Sequence, residues 1–506
     1  MSTTDRIRYG NLSAPGMKGL GGLPLPVFGA ALLALVITLF LMVLAEWWIG
    51  LIAGVVCAAL LAPAAIRVRD DRTLYGRAGL ALAGAHARRT GTNRLVAGPG
   101  GHTPDGTFRL PGIAAQSEVR DYETAFGLPF AIVAIPSTDH YSVVLEVHPT
   151  GNDVVDQEVI DGQVAKWGAW LTLLGQEDDI VGAAATVETS VDSGLRLRRS
   201  VLTPVHDGAS DFGKAVAGVV SGGFGAKMPA ISTRIVLTFT GKSDGKSRPR
   251  REMVEEIANR LPELMDGLAS TGAGSHVRPS TSQDLTDYVR AAYDPSVAAD
   301  IELARAGGGT GLSWTDAGPA FHQVEFDHYL HDRACSMVWT LGGVPRGVFY
   351  DTSLKRLLSP DKGVARKRVT LLYRPIPAAR TSSMVDRKER NATMVSGAGR
   401  TNRSGNTAAA RAAQQTADEE AAGAGLTLFG MIVTATVVNS GDDLSRATRD
   451  DLRAARQMIR SQSAKARLKL RVALNSSDSA FVAGLPLGIV LPEHTRIPAS
   501  VTDGLL

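Results

Sequence analysis

Two uncharged runs of eighteen residues, 27–44 (VFGAALLALVITLFLMVL) and 49–66 (IGLIAGVVCAALLAPAAI), stand near the start of the chain with four residues between them. Each is about as long as a helix needs to be to cross ~30 Å of hydrocarbon. The link Ala45-Glu46-Trp47-Trp48 is too short for anything but an antiparallel turn, and its tryptophans match the interfacial belt. The runs are therefore read as a transmembrane hairpin. A cleaved signal peptide would have a shorter apolar region and leave the second run unexplained. Arg6, Arg8 and Lys18 precede the pair and Arg67, Arg69, Arg72 and Arg77 follow it, while the turn carries no Lys or Arg. That asymmetry predicts a two-pass plasma-membrane protein with both termini cytoplasmic. Residues 67–94 hold seven arginines against two aspartates, a composition that suits anionic lipid head groups as well as a solvated topology signal.

The 506 residues, 44% hydrophobic and 21% charged, provide for two or three globular units and exclude a disordered chain. A net charge of +4 gives no global field that would argue for nucleic acid, so direct nucleic-acid contact is left open. Cys57 lies in the second apolar run and Cys335 far from it, which fits a reducing cytoplasm and excludes a disulfide framework.

The pattern divides the chain into an arm (1–26), the hairpin (27–66), a basic segment and linker (67–115), a first α/β module (116–275), a second (276–494) and a tail (495–506). The Gly/Pro-rich stretch 98–112 reads as linker or irregular loop. Strands are predicted at 130–135, 141–148, 181–189 and 231–240, each rich in β-branched residues, then at 336–341, 368–374, 428–438 and 468–474. Helices are predicted at 153–174, where Ile160, Val164, Trp167, Leu171 and Leu174 make one face, at 251–268 with Pro262 as a kink, and at 281–306, 407–422 and 443–462. VVLEV, TVETS and RIVLTFT of the first module have counterparts of similar character in RVTLLYR, IVTATVV and LKLRVAL of the second. The fold class is thus α/β (α+β), and the alternation allows two related ferredoxin-like units. Residues 395–407 read as a surface loop.

No catalytic set emerges. A phosphate-binding loop needs glycines whose amides wrap the phosphates ahead of Lys-Ser/Thr. At Gly241-Lys242-Ser243 the required earlier glycine is Val236, and 222–227 (GGFGAK) misses the spacing. A nucleophile elbow and a zinc-protease helix are also missing from the sequence. His322, His328 and His331, with Asp332, form the densest cluster of metal-ligating side chains, against which stands an ordinary polar turn before a strand. Asp178-Asp179 and Asp442-Asp443 precede a strand and a helix. The basic clusters 246–251 (KSRPRR) and 366–368 (RKR) lack interleaved aromatics and read as solvated loops or a membrane-facing edge. No catalytic, cofactor-binding or metal-binding residue is assigned, no cofactor is expected, and the chain reads as a non-enzyme.

A set of segments spread along nearly the whole chain carries a resemblance: RYGN and GLGGL before the first run, FRLPG (108–112), HYSVVLEV (140–147), WGAWL (167–171), TVET (186–189), STGAG (270–274), AYDP (292–295), DHYLHD (327–332), VARKRVTLLYRP (364–375) and LPLG (485–488). The set resembles actinobacterial two-span membrane proteins associated with conjugation or type IV-like secretion. Such a chain is similar to a PrgI-type membrane hairpin joined to a region like the N-terminal domain of a type IV secretion ATPase, with the motor half absent. The resemblance implies a non-catalytic inner-membrane adaptor that seats a separate P-loop ATPase, with membrane lipid and small membrane proteins as further partners in an oligomeric assembly. A type VII secretion component with two N-terminal spans and a membrane-bound metal enzyme using His322, His328 and His331 are the alternatives.

Overall fold

The computed structural model describes residues 25–44, 47–68, 72–149, 151, 155–203, 205–206, 208–223, 229–243, 245–274, 276–343, 351–361, 364–377, 427–439 and 444–495. The surface loop expected at 395–407, the helix at 407–422, the Asp442-Asp443 pair and nearly all of the arm and tail lie outside these residues. Two apolar helices come first, α1 (Leu25–Leu44) and α2 (Trp47–Ala65). They pack antiparallel: Gly50 lies against Met42 and Gly54 against Thr38, the glycines giving the close approach. Among the described residues one helix, Trp47–Ala64, is long and apolar enough to be a candidate span, and the apolar stretch Gly29–Leu44 is shorter. Of the hairpin of two spans expected over 27–44 and 49–66, the two apolar helices and their antiparallel packing are present, and one of them, α2, meets the length and composition of a span.

A third helix, α3 (Leu74–Thr90), follows. Thr73 caps its start by accepting from Gly76 N, and Gly91, at φ 71°, ends it. Beyond it the described residues build an antiparallel sheet of thirteen strands. In chain order these are β1 (Arg94–Val96), β2 (Glu118–Glu123), β3 (Pro129–Ile135), β4 (His140–Val147), β5 (Ile180–Val191), β6 (Pro229–Thr240), β7 (Val277–Pro279), β8 (Phe321–Val324), β9 (Tyr329–His331), β10 (Ala334–Leu341), β11 (Arg366–Pro375), β12 (Thr427–Val438) and β13 (Leu470–Val472). Across the sheet the order is β1-β8-β9-β10-β12-β11-β5-β6-β4-β3-β2, with β7 on β4 and β13 on β10.

The order contains the same unit twice. In the first half it reads β2-β3-β4-β6-β5 with β7 on β4; in the second, β8-β9-β10-β12-β11 with β13 on β10. Laying His140 on Ala334 carries Thr240 onto Val438 through the ladders β4–β6 and β10–β12. Along β6 and β12 this sets Arg234 on Ile432, whose partners are Thr186 and Thr370. Thr186 and Thr370 face each other where β5 pairs with β11, Oγ1 to Oγ1 3.3 Å apart, so a pseudo-twofold axis passes between them. The internal repeat is therefore present, but with its counterparts shifted by one strand from those expected. TVETS matches RVTLLYR, RIVLTFT matches IVTATVV, and VVLEV matches the strand holding CSMVWTL.

Helices cover both faces. On one, α4 (Gln157–Gln176) and α7 (Arg250–Leu268) close a core over the first half, with Trp170, Leu174, Ile257 and Leu261 buried against Phe130, Leu145 and Leu237. On the same face of the second half, α10 (Lys355–Leu358) and α11 (Arg446–Lys465) close another around Trp339, Val433 and Ile459. Leu80 of α3 joins this second core, and Arg72 Nη2 donates to Val472 O. The opposite face has one core shared by both halves, under α8 (Ser282–Tyr293), α12 (Ser477–Ala483) and the following segment through Ile489. Two further helices, α5 (Leu195–Leu202) and α6 (Asp211–Gly223), form an arm between β5 and β6, and α9 (Ala298–Ala306) lies at its root. Helix α7 runs on through Pro262. The supposed linker 98–112 is irregular but packed, with Leu110 buried and Phe108 N donating to Thr315 O.

Candidate functional site

The shared core contains a set of charges that its position makes unusual. Alternation along β11 puts Arg366, Arg368 and Thr370 on the face beneath α8, and Glu188 of β5 stands opposite Arg368. Helix α8 is fixed over them by a capping box, in which Thr281 Oγ1 accepts from Asp284 N and Asp284 Oδ2 accepts from Thr281 N. This brings Tyr288 down onto the charges. Arg368 Nε donates to Glu188 Oε2 at 2.8 Å and Tyr288 Oη to the same oxygen at 2.9 Å, while Arg366 Nε reaches Glu188 Oε1 at 2.9 Å. Arg366 also donates to the Ala291 carbonyl, and the Arg234 guanidinium stacks 4.1 Å from the Tyr288 ring centroid. Glu188 and Arg368 are each 2% exposed.

Burial pushes the Glu188 carboxyl up, and the guanidiniums of Arg366, Arg368 and Arg234 with the Tyr288 hydroxyl outweigh that and hold it below its ordinary value. Burial raises Tyr288, which stays protonated as the donor. Ionised and enclosed, Glu188 spends its lone pairs mainly on these three bonds, one on Oε1 and two on Oε2, and is 2% exposed, out of reach of a substrate in solution. The hub instead ties α8 and β5 of the first half to β11 of the second. Its asymmetry is set by the axis: the position symmetric to the Glu188–Arg368 pair is Leu372–Ala184.

The fold pairs two of the histidines predicted as a cluster and places the third apart. His322 and His331 are cross-strand partners on β8 and β9, and His328 sits in the turn between. Both His331 nitrogens are occupied, Nδ1 by the Tyr293 carbonyl at 2.5 Å and Nε2 by Ser336 Oγ at 2.7 Å. His322 Nδ1 pairs with Tyr329 Oη at 3.1 Å. His328 turns to Asp327, 2.9 Å away. Among the described residues no three His, Cys, Asp or Glu side chains converge as a metal site would require. Burial lowers both His322 and His331 to about 4, so they are neutral members of an aromatic layer with Tyr293, Tyr329 and Phe481.

The basic clusters also change meaning. In 246–251, Arg248 pairs with Glu256 (2.6 Å), Arg250 with Glu118 (2.7 Å) and Arg251 with Glu255 (2.8 Å). The 366–368 cluster, expected at the surface, is the buried start of β11, with Lys367 on the other face bonded to Asp361 and to Ser359 O. Asp179 serves Arg260 at 2.7 Å. Sequence reading missed Glu188, Tyr288 and the two arginines as a group. The available signal was charge inside strands otherwise made of Val, Thr and Leu.

A family described as Domain of unknown function (DUF8461) matches residues 17–76, the stretch holding α1, α2 and the first residues of α3. No curated protein matches the chain.

Proposed function

We propose that the chain is a non-catalytic inner-membrane adaptor of a conjugative or type IV-like secretion apparatus, seating a separate P-loop ATPase at the membrane. The observation that carries this reading is the pairing of a candidate span, Trp47–Ala64, with a domain whose most reactive-looking charges are consumed in holding its halves together. Such a build suits a rigid platform. The sequence has no phosphate-binding loop, so the motor must be another chain. In this reading α1 and α2 cross the bilayer together with both termini cytoplasmic, and the two repeats are ferredoxin-like units: each has the βαββαβ order with the fourth strand outside the first.

The test is purification of the tagged full-length protein from its native host in mild detergent. A P-loop ATPase and small membrane proteins co-eluting in comparable amount are expected. Recovery of the chain alone from membranes in which such a motor is present would refute the adaptor role.

A further inference from the structure

The arm between β5 and β6 is unlike the rest of the soluble part. Helix α6 presents Phe212, Val216 and Val219 on one stripe, all exposed, Phe212 by 79%. Leu202 of α5 and Val191 and Ile231 at the root extend this apolar surface. Beside it α5 exposes Arg198 and Arg199, and α6 exposes Lys214. Of the described acids, Asp192 Oδ1 accepts from Gly194 N and Glu302 accepts from Ser193 Oγ, while Asp211 at the start of α6 and Asp300 on α9 are exposed, so basic residues prevail on α5 and at Lys214 and one acid stands beside Phe212. A short apolar stripe flanked by cations is the chemistry of a helix that lies in the interface of an anionic bilayer.

We propose that the α5–α6 arm is a second membrane contact, Phe212, Val216 and Val219 entering the interface while Arg198, Arg199 and Lys214 meet anionic head groups. This rests on the reading of α1 and α2 as the anchor, which brings the domain beside a bilayer. The two contacts leave the sheet at opposite ends of its strands. Arg72 holds to Val472, paired at Trp339 late in β10, whereas the arm emerges where Ser190 meets Arg366, the end at which β10 begins. A domain touching one bilayer through both therefore lies with its strands along the membrane plane.

The experiment places an environment-sensitive dye on Val216→Cys of the full-length chain carrying Cys57→Ser; Cys335 is buried, its thiol pushed far up by burial, and stays unlabelled. Proteoliposomes are made from phosphatidylcholine with and without phosphatidylglycerol, and a second chain is labelled at Phe126→Cys, in an exposed turn. The expected result is a blue shift and quenching by lipid nitroxides at position 216 in anionic vesicles, weakened by salt, lost in Phe212→Glu and in Arg198→Glu/Arg199→Glu, and not seen at 126. A water-exposed 216 label on chains that resist alkaline extraction would overturn the arm contact and leave the anchor standing. A shielded label that lipid nitroxides do not quench would mean that a second copy or another protein covers the stripe, and would overturn it too. Release of the chain by alkali would overturn the anchor and the proposal with it.

Discussion

Replacing Glu188 by Ala withdraws the one carboxylate between two buried guanidiniums. Arg366 and Arg368 would each lose a bond of under 3 Å, Tyr288 its acceptor, and the two cations would remain enclosed. Removing one partner of a buried ion pair costs about 3–5 kcal/mol, and Glu188→Gln, which keeps the shape without the charge, should cost about 2–3 kcal/mol for a weakened charge-assisted bond. Urea titration of the full-length chain in mild detergent, followed by tryptophan fluorescence, measures this loss. Glu118→Ala is the comparison, since Glu118 makes partly exposed pairs with Arg120 and Arg250, worth at most about 1 kcal/mol. The pH dependence adds a signature. Because the folded Glu188 carboxyl titrates below its unfolded value of 4.5, its stabilisation is full above that value and disappears as pH falls through the lower, folded one. The Gln variant lacks this part of the acid transition. A Glu188→Ala loss no larger than that of Glu118→Ala, or an acid limb unchanged in Glu188→Gln, would refute the clamp.

Histidine burial works in the same direction at higher pH. His322 and His331 are lowered from 6.5 to about 4, so unfolding takes up protons and stability falls across that window as pH drops; His322→Gln should make the slope shallower, and an equal slope would count against it. Gly488 sits at φ 72°, and an added Cβ would run into Ser142 Oγ and Thr238 Oγ1. Gly488→Ala should therefore cost about 2 kcal/mol or more in the same titration, and a cost near zero would show that the segment after α12 gives way. Deleting residues 25–65 should move the chain from the membrane fraction to the supernatant at high salt, which also releases the arm, and retention there would mean that the helices are not what anchors it.

The strands of both halves were readable because each half buries two sheet faces and so spends β-branched residues in nearly unbroken runs, as in 231–240 and 428–438. The matching of repeats slipped by one strand because sequence character alone does not separate one β-branched strand from the next; the ladders do. Residues 366–368 looked like surface because their charge partner, Glu188, lies far back in the chain and meets them only across the β5–β11 contact. The histidines looked like ligands because a spacing of three suggests one helical face, whereas a β-turn sends His328 away from its neighbours. Helix α3 and the arm were missed for a simpler reason: Arg-rich and Gly/Ala-rich stretches do not show a buried stripe when little of the helix is buried.

Because the axis relates β5 to β11, either strand could in principle pair with a copy of itself and reproduce the same ladder. Two β5 strands meeting at Thr186 would set Glu188 against Ala184, and two β11 strands meeting at Thr370 would set Arg368 against Leu372, in each case stranding a buried charge. The hub thus tells the halves apart. If the chain is severed in its Gly307–Gly311 run, the fragments should reassemble with each other on mixing and fail to form homodimers alone, so that a single ionic contact works as the address label of an internal dimer.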